Sequence, residues 1–316
     1  MTATAWVESP LQVLNAVEWA HRAGEGCRIV LREDVESLGP LGAWLAPRLE
    51  DTAPGVVLDA APDPARAGLR RSGRWVVGDV FSGQIRLLVA LSRTRDLVVL
   101  DDGSATLHLA QVLQGGGGFG RMGQRESLPA RVLGAIMRRR LLRAARAGRL
   151  ELFTAYDAPE VGRLADLGAT LTPNRYAWVR GLEPAEPGQI GAHVVIGSAL
   201  AADGYIDAAA YEAWAIATGG PGATYLPHRR ETDAALARLA TAGLRVVRSA
   251  LPAELVLATA ADLESVTSLP SSTAATLAHV LGPSVTHRIQ AVPTPWWTAA
   301  ADESMRSTLS ATVPRS

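Results

Sequence analysis

Short apolar segments that alternate with helical segments are the feature that most limits how this chain can fold. Residues 97–100 are apolar at four consecutive positions, without the alternation of a strand that has one face in water. Such a run is typical of a parallel strand covered on both faces. Similar short runs lie at residues 5–7, 28–31, 55–58, 74–77, 150–154, 193–196, 223–227, 244–248 and 263–267. Because helical segments separate them, the pattern predicts an α/β fold with parallel sheets.

A break in this pattern occurs near residues 183–188, where proline, glycine and charged residues occur without periodicity. We therefore predict an N-terminal domain over residues 1–185, a second domain over 186–290 and a helical tail over 291–316. A chain of 316 residues is long enough for two domains of ordinary size. Two α/β domains with a cleft between them are the simplest architecture.

Charge and composition exclude several classes of function. All 31 basic residues are arginines, which removes the P-loop lysine and Schiff-base chemistry. The 31 acidic residues balance them, so no overall field draws the chain to nucleic acid. Cys27 is the single cysteine, so an internal disulfide and a multi-cysteine zinc site are excluded. The sequence has no signal-peptide pattern and no membrane-spanning apolar run, which favours a cytoplasmic location.

Two adjacent carboxylates, Asp101 and Asp102, directly follow the predicted strand at residues 97–100. Ligands of open α/β sheets bind outside the carboxyl ends of the strands. Crowding by like charge raises the pKa of one carboxylate towards the range of a general base. Gly103 would let the backbone approach a ligand closely. A turn followed by a helix N-cap explains the same residues equally well.

Two further polar segments lie between a predicted strand and a predicted helix. His228 is followed by Arg229 and Arg230, and this combination at a helix N-terminus suits a phosphate group. Ser271 and Ser272 have hydroxyls that can hold phosphate oxygens at a similar position. In each case an ordinary helix cap is the alternative.

A glycine-rich segment imitates a dinucleotide-binding motif. Gly115, Gly117 and Gly120 match G-x-G-x-x-G, but they follow a predicted helix at residues 104–113. The motif requires a preceding strand, so we predict a mobile loop over the cleft instead.

An arginine-rich helix is predicted over residues 129–149, with its arginines between residues 131 and 149. Interleaved leucine and isoleucine residues give this helix one apolar face. It could bind an anionic acceptor or a membrane surface, and a solvated face explains it as well.

In chain order these segments resemble motifs of the bacterial sialyltransferase and polysialyltransferase families of GT-B architecture. Residues 8–18 look like their opening strand–turn–helix, and Asp101-Asp102-Gly103 looks like their acidic motif. The segment 227–231 is similar to their histidine–proline motif, although Arg229 stands where the family has a proline. Ser271-Ser272 looks like their late serine pair.

The resemblance implies two Rossmann-like doubly wound domains that face a central cleft. It also implies an inverting, metal-independent glycosyltransferase that moves sialic acid or a related nonulosonic acid from a CMP donor to a glycan acceptor. Asp101 would be the base, with Asp102 beside it, and His228 would assist the departure of CMP. The residues implied for the donor are Gly103, Gly197, Ser198, Pro227, Arg229, Arg230, Glu254, Ser271 and Ser272, and those of the N-terminal motif are Ser9, Pro10, Gln12 and Asn15.

These roles need no cofactor, because the CMP-sugar is a substrate, and they point to cell-surface polysaccharide synthesis. The expected partners are the donor, a glycan acceptor and, through the helix at 131–149, the inner face of the membrane. Two alternatives stay open. One is a catalytically silent GT-B-like protein that binds a nucleotide or a glycan, and the other is a GT-B transferase that uses a UDP or GDP sugar.

Overall fold

The computed structural model describes residues 3–92, 96–121, 124, 126–185 and 190–310. The chain divides into two compact units, Met1–Trp178 and Val179–Ser316. This division falls a few residues before the predicted boundary at residue 185. Residues 186–189, next to that boundary, lie outside the described residues.

The first unit is an α/β domain built on one parallel sheet. Its strands are β1 (Ala3–Val7), β2 (Cys27–Arg32), β3 (Val56–Ala61), β4 (Arg74–Val77), β5 (Asp96–Leu100), β6 (Leu150–Thr154) and β7 (Thr170–Pro173). Its helices are α1 (Pro10–Ala23), α2 (Leu38–Thr52), α3 (Gly83–Leu91), α4 (Ser104–Leu113), α5 (Leu128–Arg146) and α6 (Pro159–Gly162), and the division between the units falls within α7 (Ala177–Arg180).

The strand order of this sheet is β3-β2-β1-β4-β5-β6-β7, and every neighbouring pair is parallel. The order runs outwards from β1 in both directions, so right-handed connections cover both faces with helices. All five residues of β1 are buried, and so are the last four of β5. The predicted doubly wound domain with strands covered on both faces is confirmed.

The second unit repeats the same architecture with fewer strands. Its strands are β8 (His193–Ile196), β9 (Thr224–Leu226), β10 (Arg245–Val246), β11 (Ser265–Ser268) and β12 (Thr286–Ile289). Its helices are α8 (Ala199–Ala202), α9 (Ala208–Gly219), α10 (Asp233–Thr241), α11 (Ala253–Ala258), α12 (Ser272–Val280) and α13 (Glu303–Ser310). The parallel order β10-β9-β8-β11-β12 reverses between β8 and β11, so this domain is also Rossmann-like.

The segment after residue 290 packs on the second unit. The backbone N–H of Asp207 donates to the carbonyl of Trp296 at 2.8 Å, and Ile206 forms an antiparallel bridge with Trp297. The Trp296 ring also lies edge-on to Trp214, with 6.4 Å between the ring centroids. The two tryptophans are partly buried, so this segment packs against the core of the unit.

Helix α2 is an element that the sequence patterns did not predict. It contains Pro47 and has no side-chain cap at its first turn. Leu38, Leu41, Leu45 and Leu49 recur every three or four residues along it, and all four are buried. Burial of this apolar stripe stabilises the helix despite the proline, which costs an interior hydrogen bond.

Helices α3 and α5 approach closely at Gly134. A Cβ atom at this position would lie 2.1 Å from the carbonyl oxygen of Phe119 and 3.4 Å from Nη1 of Arg86. Backbone therefore occupies the space that any larger side chain would need.

We predict that Gly134→Ala destabilises the protein by about 1–3 kcal/mol, because the added methyl group meets backbone rather than a flexible side chain. Gly162→Ala is the matched control, since a Cβ atom there has no neighbour within 4 Å. Alanine is the better helix former, so the control should be neutral or stabilised by up to about 1 kcal/mol. Urea unfolding of both variants measures the difference, and equal stabilities would contradict the prediction.

Candidate functional site

The polar residues of the first domain gather where the strand order of its sheet reverses, between β1 and β4. Glu8 and Ser9 follow β1, and Gly78 and Asp79 follow β4. Asp101 and Asp102 follow β5, the next strand along. Carboxyl ends of parallel strands meet at one edge, and the reversal leaves a crevice there in which such folds bind ligands.

Asp101 is fully buried, and donors of its own domain occupy both carboxyl oxygens. Oδ1 accepts from the backbone N–H of Gly103 at 3.0 Å and from Thr106 Oγ1 at 2.8 Å. Oδ2 accepts from Thr154 Oγ1 at 2.9 Å and from the backbone N–H of Ala155 at 3.1 Å. Burial raises the pKa of Asp101, while these hydrogen bonds oppose the increase. The group is saturated within the fold, and its role as the base stays a prediction.

Asn15 supports the backbone of Asp101 from beneath. Its Nδ2 donates to the carbonyl of Asp101 at 2.8 Å. Its Oδ1 accepts from Asn174 Nδ2 at 3.0 Å and from the hydroxyl of Tyr176 at 2.9 Å. All of these side chains are buried. Of the residues implied for the N-terminal motif, Asn15 therefore holds the interior of the site together.

Asp102, in contrast, is only partly buried. Burial raises the pKa of Asp102 to about 7, and the neighbouring carboxylates of Asp79 and Asp101 add to the increase. A hydrogen bond from Gln12 and the charge of Arg121 oppose it. A carboxyl group that keeps some exposure and has a pKa raised towards neutrality has the properties of a general base.

The first turn of α1 contributes to the same edge. Ser9 caps the helix, since its hydroxyl accepts from the backbone N–H of Gln12 at 3.3 Å, and Pro10 is the first helical residue. The same hydroxyl lies 3.5 Å from Oδ1 of Asp102. Ser9 and Gln12 of the predicted motif therefore contact Asp102, and Pro10 begins the helix that carries Gln12.

Sequence reasoning missed Gly78, Asp79 and Arg121. The guanidinium of Arg121 pairs with Asp79, whose other oxygen accepts from the N–H of Phe81 at 2.7 Å. A Cβ atom on Gly78 would lie 2.0 Å from Oε1 of Gln12, so any other residue here would displace the Gln12 side chain. The available signal was the pair Gly-Asp directly after the apolar strand β4. A small recess at this edge is lined by residues that include Gly78, Asp79, Asp102 and Thr106.

Gly103 also belongs to the first domain, where it precedes α4. Its φ of 66° is in the left-handed region that favours glycine. His108, further along α4, makes a 2.8 Å hydrogen bond through Nε2 to the carbonyl of Gly120. The glycines at 115, 117 and 120 follow helix α4, as predicted, and do not follow a strand.

The second domain presents its own set of polar residues at the carboxyl edge of its sheet. Gly197 and Ser198 follow β8, His228 follows β9, and Ser271 and Ser272 follow β11. The sheet order reverses between β8 and β11. The residues predicted for the donor in this domain are thus brought to one edge, apart from Glu254, which lies in α11.

His228 is held as a neutral imidazole with a defined tautomer. Burial lowers the pKa of His228, and the charges of Arg229 and Arg230 lower it further. Nδ1 accepts from the backbone N–H of Arg230 at 3.2 Å, so in the neutral ring the proton is on Nε2. Nε2–H is then a hydrogen-bond donor, which suits a phosphate oxygen.

A hydrogen-bond network fixes the backbone of His228. Its N–H donates to Oε2 of Glu231 at 2.6 Å, and the hydroxyl of Tyr225 donates to Oε1 at 2.6 Å. The Tyr211 hydroxyl lies 2.6 Å from that of Tyr225 and accepts from the N–H of Ser198 at 2.8 Å. Burial raises the pKa of Glu231, while its tyrosine partner opposes the increase. The network joins the ends of β8 and β9.

Gly197 is required by this arrangement. A Cβ atom at Gly197 would lie 2.2 Å from Oε2 of Glu231, 2.5 Å from the backbone N of His228 and 2.9 Å from the Cα of Pro227. Any other residue would separate the two strand ends that carry Ser198 and His228.

The remaining donor candidates differ in accessibility. Ser271 caps α12, since its hydroxyl accepts from the N–H of Ala274 at 3.0 Å, and Ser272 is the first helical residue. Arg229 is exposed, and Arg230 pairs with Asp203.

Glu254, near the start of α11, is almost entirely buried and contacts α12. Its Oε1 accepts from the Thr276 hydroxyl at 2.6 Å, and burial raises the pKa of Glu254. This contact links the two helices, and a role of Glu254 at the ribose stays a prediction.

Within the described residues, no three histidine, cysteine, aspartate or glutamate side chains are grouped so that they could hold a metal ion. In the same part of the chain, no helix combines the length and the apolar character needed to cross a bilayer.

Comparison with known proteins finds similar chains among solved structures alone. No family model matches the chain, and no curated protein matches it. Among solved structures, it is similar to UGT2 of Phytolacca americana complexed with UDP-2fluoro-glucose and pterostilbene. The TM-score is 0.49 and the identity 10%, over 97% of this chain and 81% of that chain. At this TM-score and identity the likeness carries no argument about the activity or the donor of this chain.

We predict that Asp102→Asn changes how stability depends on pH. A carboxyl pKa of about 7 in the folded state, against about 3.9 when unfolded, means that the folded state binds the extra proton between these values. Stability of the wild type therefore falls as pH rises through this window, by about 2 kcal/mol between pH 5 and pH 8.

The Asp102→Asn variant lacks this loss, so its stability relative to the wild type should increase by about the same amount between the two pH values. The exposed Asp51 provides the control, because Asp51→Asn makes the same charge change elsewhere in the domain. Denaturant unfolding at both pH values measures the effect. Parallel pH profiles for wild type and Asp102→Asn would show that the group does not titrate near neutral pH.

Proposed function

We propose that this protein is an inverting, metal-independent glycosyltransferase that transfers sialic acid or a related nonulosonic acid from a CMP donor to a glycan acceptor. The observation that carries the proposal is Asp102, a partly buried carboxyl group with its pKa raised to about 7 at the crevice of the first sheet. Strongly shifted titratable groups at such positions are candidates for proton transfer.

In this proposal Asp102 is the base that removes the proton of the acceptor hydroxyl. The resemblance to sialyltransferases assigns that role to Asp101, but the four internal donors of Asp101 favour its neighbour. Asp101 is then a positioning residue, which holds the backbone from which the Asp102 side chain extends. Gln12 donates a hydrogen bond to Asp102 and would orient its carboxylate.

The second domain supplies the groups for the leaving nucleotide. In this proposal Nε2–H of His228 donates to one oxygen of the CMP phosphate. Ser272 and the first backbone N–H groups of α12 donate to another phosphate oxygen. Such preorganised donors stabilise the negative charge that develops as CMP departs. Neutral donors and a helix N-terminus do this without a divalent cation.

The chemical step is a single displacement at the anomeric carbon, which inverts its configuration. The bond from this carbon to the CMP phosphate oxygen breaks, and its electron pair leaves with CMP. The acceptor oxygen forms the new bond and loses its proton to Asp102.

Nucleotide specificity tests the donor assignment. We expect CMP to stabilise the protein against thermal unfolding, and UDP and GDP to have no comparable effect. A nucleotide that binds at about a hundred times its Kd adds about 3 kcal/mol to the free energy of unfolding, which is large enough to measure. His228→Ala should reduce the CMP shift, and Asp102→Asn should leave it unchanged because Asp102 lies in the other domain. Stabilisation by UDP alone would contradict the proposed donor.

Release of CMP from CMP-sialic acid in the presence of glycan acceptors tests catalysis. We expect Asp102→Asn to lower kcat by about 10²–10⁴-fold, since a general base contributes about this much. The wild-type kcat should rise with pH through an inflection near 7, as deprotonated Asp102 accumulates. Asp51→Asn again serves as the control. A wild type that binds CMP but never releases it from any donor and acceptor would instead be a silent binding protein.

A further inference from the structure

One side of helix α5 forms an exposed stripe that the proposed reaction does not use. Residues at spacings of three or four along the helix are exposed, from Leu128 at its first turn to Arg146 at its last. The members of this stripe, called the α5 stripe below, are Leu128, Arg131, Val132, Ala135, Arg139, Arg143 and Arg146. At a rise of 1.5 Å per residue the stripe is about 27 Å long.

The opposite side of α5 is the one that packs on the domain. Gly134, Met137, Leu141, Ala144 and Ala145 are buried there. Arg138 belongs to this inner part, because its guanidinium donates to the carbonyls of Val112 at 3.0 Å and Leu113 at 3.4 Å. Arg138 therefore has structural partners at the end of α4 and does not belong to the exposed stripe.

The charge of α5 contrasts with the balance of the whole chain. The helix contains six arginines and no acidic residue, whereas the chain as a whole has net charge zero. Among the ion pairs of the described residues, none involves Arg131, Arg139, Arg143 or Arg146. The α5 stripe is therefore a concentrated cationic surface.

Exposed apolar side chains concentrate on α5 and on α3, the helix that contacts it through Arg86. Of the large hydrophobic residues that are exposed in the described part of the chain, only Val57 lies on another element. The others are Leu128 (73% exposed) and Val132 (60%) on α5, with Leu87 (48%) and Leu91 (65%) on α3. Arg86 of α3 donates to the carbonyl of Ala130 at 3.2 Å, which holds α3 to the end of α5 that carries the two apolar residues.

We propose that the α5 stripe, with Leu87 and Leu91 of α3, binds the surface of an anionic lipid bilayer. Arginines attract acidic headgroups, and aliphatic side chains beside them enter the boundary of the acyl chains. A symmetric contact with a second copy of the chain would oppose arginine to arginine, so charge disfavours it. Aliphatic residues gain nothing from a nucleic acid backbone, which disfavours that partner.

Sedimentation of the full-length protein with lipid vesicles tests this surface. We expect binding to vesicles with about 30% phosphatidylglycerol and little binding to pure phosphatidylcholine, because acidic headgroups supply the attraction. Binding should weaken as salt rises, since salt screens exposed charges. Arg139→Glu with Arg143→Glu should weaken binding by about tenfold or more.

Two further variants make the test specific. Arg66→Glu with Arg71→Glu reverses the same number of exposed charges elsewhere in the domain and should bind vesicles like the wild type. Leu128→Ser with Val132→Ser should remove the part of the binding that persists at high salt. Thermal unfolding of each variant checks that it is folded, and Arg139→Gln with Arg143→Gln replaces the glutamate variant if it is not.

Three results would overturn the proposal. The first is a wild type that does not sediment with anionic vesicles at low salt. The second is equal binding by the wild type and the Arg139/Arg143 variant. The third is tight binding to a short DNA duplex without binding to vesicles, which would identify a nucleic acid surface instead.

Discussion

The candidate site of the first domain depends on the hydrogen bonds that the buried carboxyl group of Asp101 accepts. This group accepts hydrogen bonds from the connection that leads into α4 and from the end of β6, and so ties neighbouring strand ends together. A buried carboxyl group is tolerated only while such donors remain in place. Asn15 secures the same backbone from α1. The carboxyl group of Asp102 therefore extends from a rigid support, and its own burial beside Asp79 raises its pKa towards neutrality.

The second domain uses the same principle with different groups. Glu231 is partly buried and accepts from the backbone of His228 and from Tyr225, and Gly197 leaves the space in which these atoms meet. Fixed partners remove the freedom of the strand ends, so less reorganisation is needed when a ligand binds. In both domains an acidic residue with several internal hydrogen-bond partners holds the backbone beside a partly exposed titratable side chain. A precise site thus depends on side chains that would never touch the substrate.

Charged side chains are distributed unevenly over a chain whose net charge is zero. Arginines that share a helix have different surroundings, because Arg138 caps carbonyls of α4 while Arg139 is exposed. Arg86, in α3, is buried against Glu126. In a chain without lysine, the number of arginines says little about any one of them. Burial and partners decide which arginines support the fold and which form a surface.

The sequence by itself determined the α/β class and most of the strands, including β6 and β8 at their observed bounds. Buried parallel strands are apolar throughout, and this property is visible locally. It did not predict α2, whose proline is outweighed by burial of its leucines. The same holds for the candidate site. The sequence located Asp101 and Asp102 at a strand end, but only the tertiary structure decided which of the two carboxyl groups is partly exposed. The physical reason is that a carboxyl group's environment comes from distant positions, as Thr154 shows by binding Asp101 from the next strand.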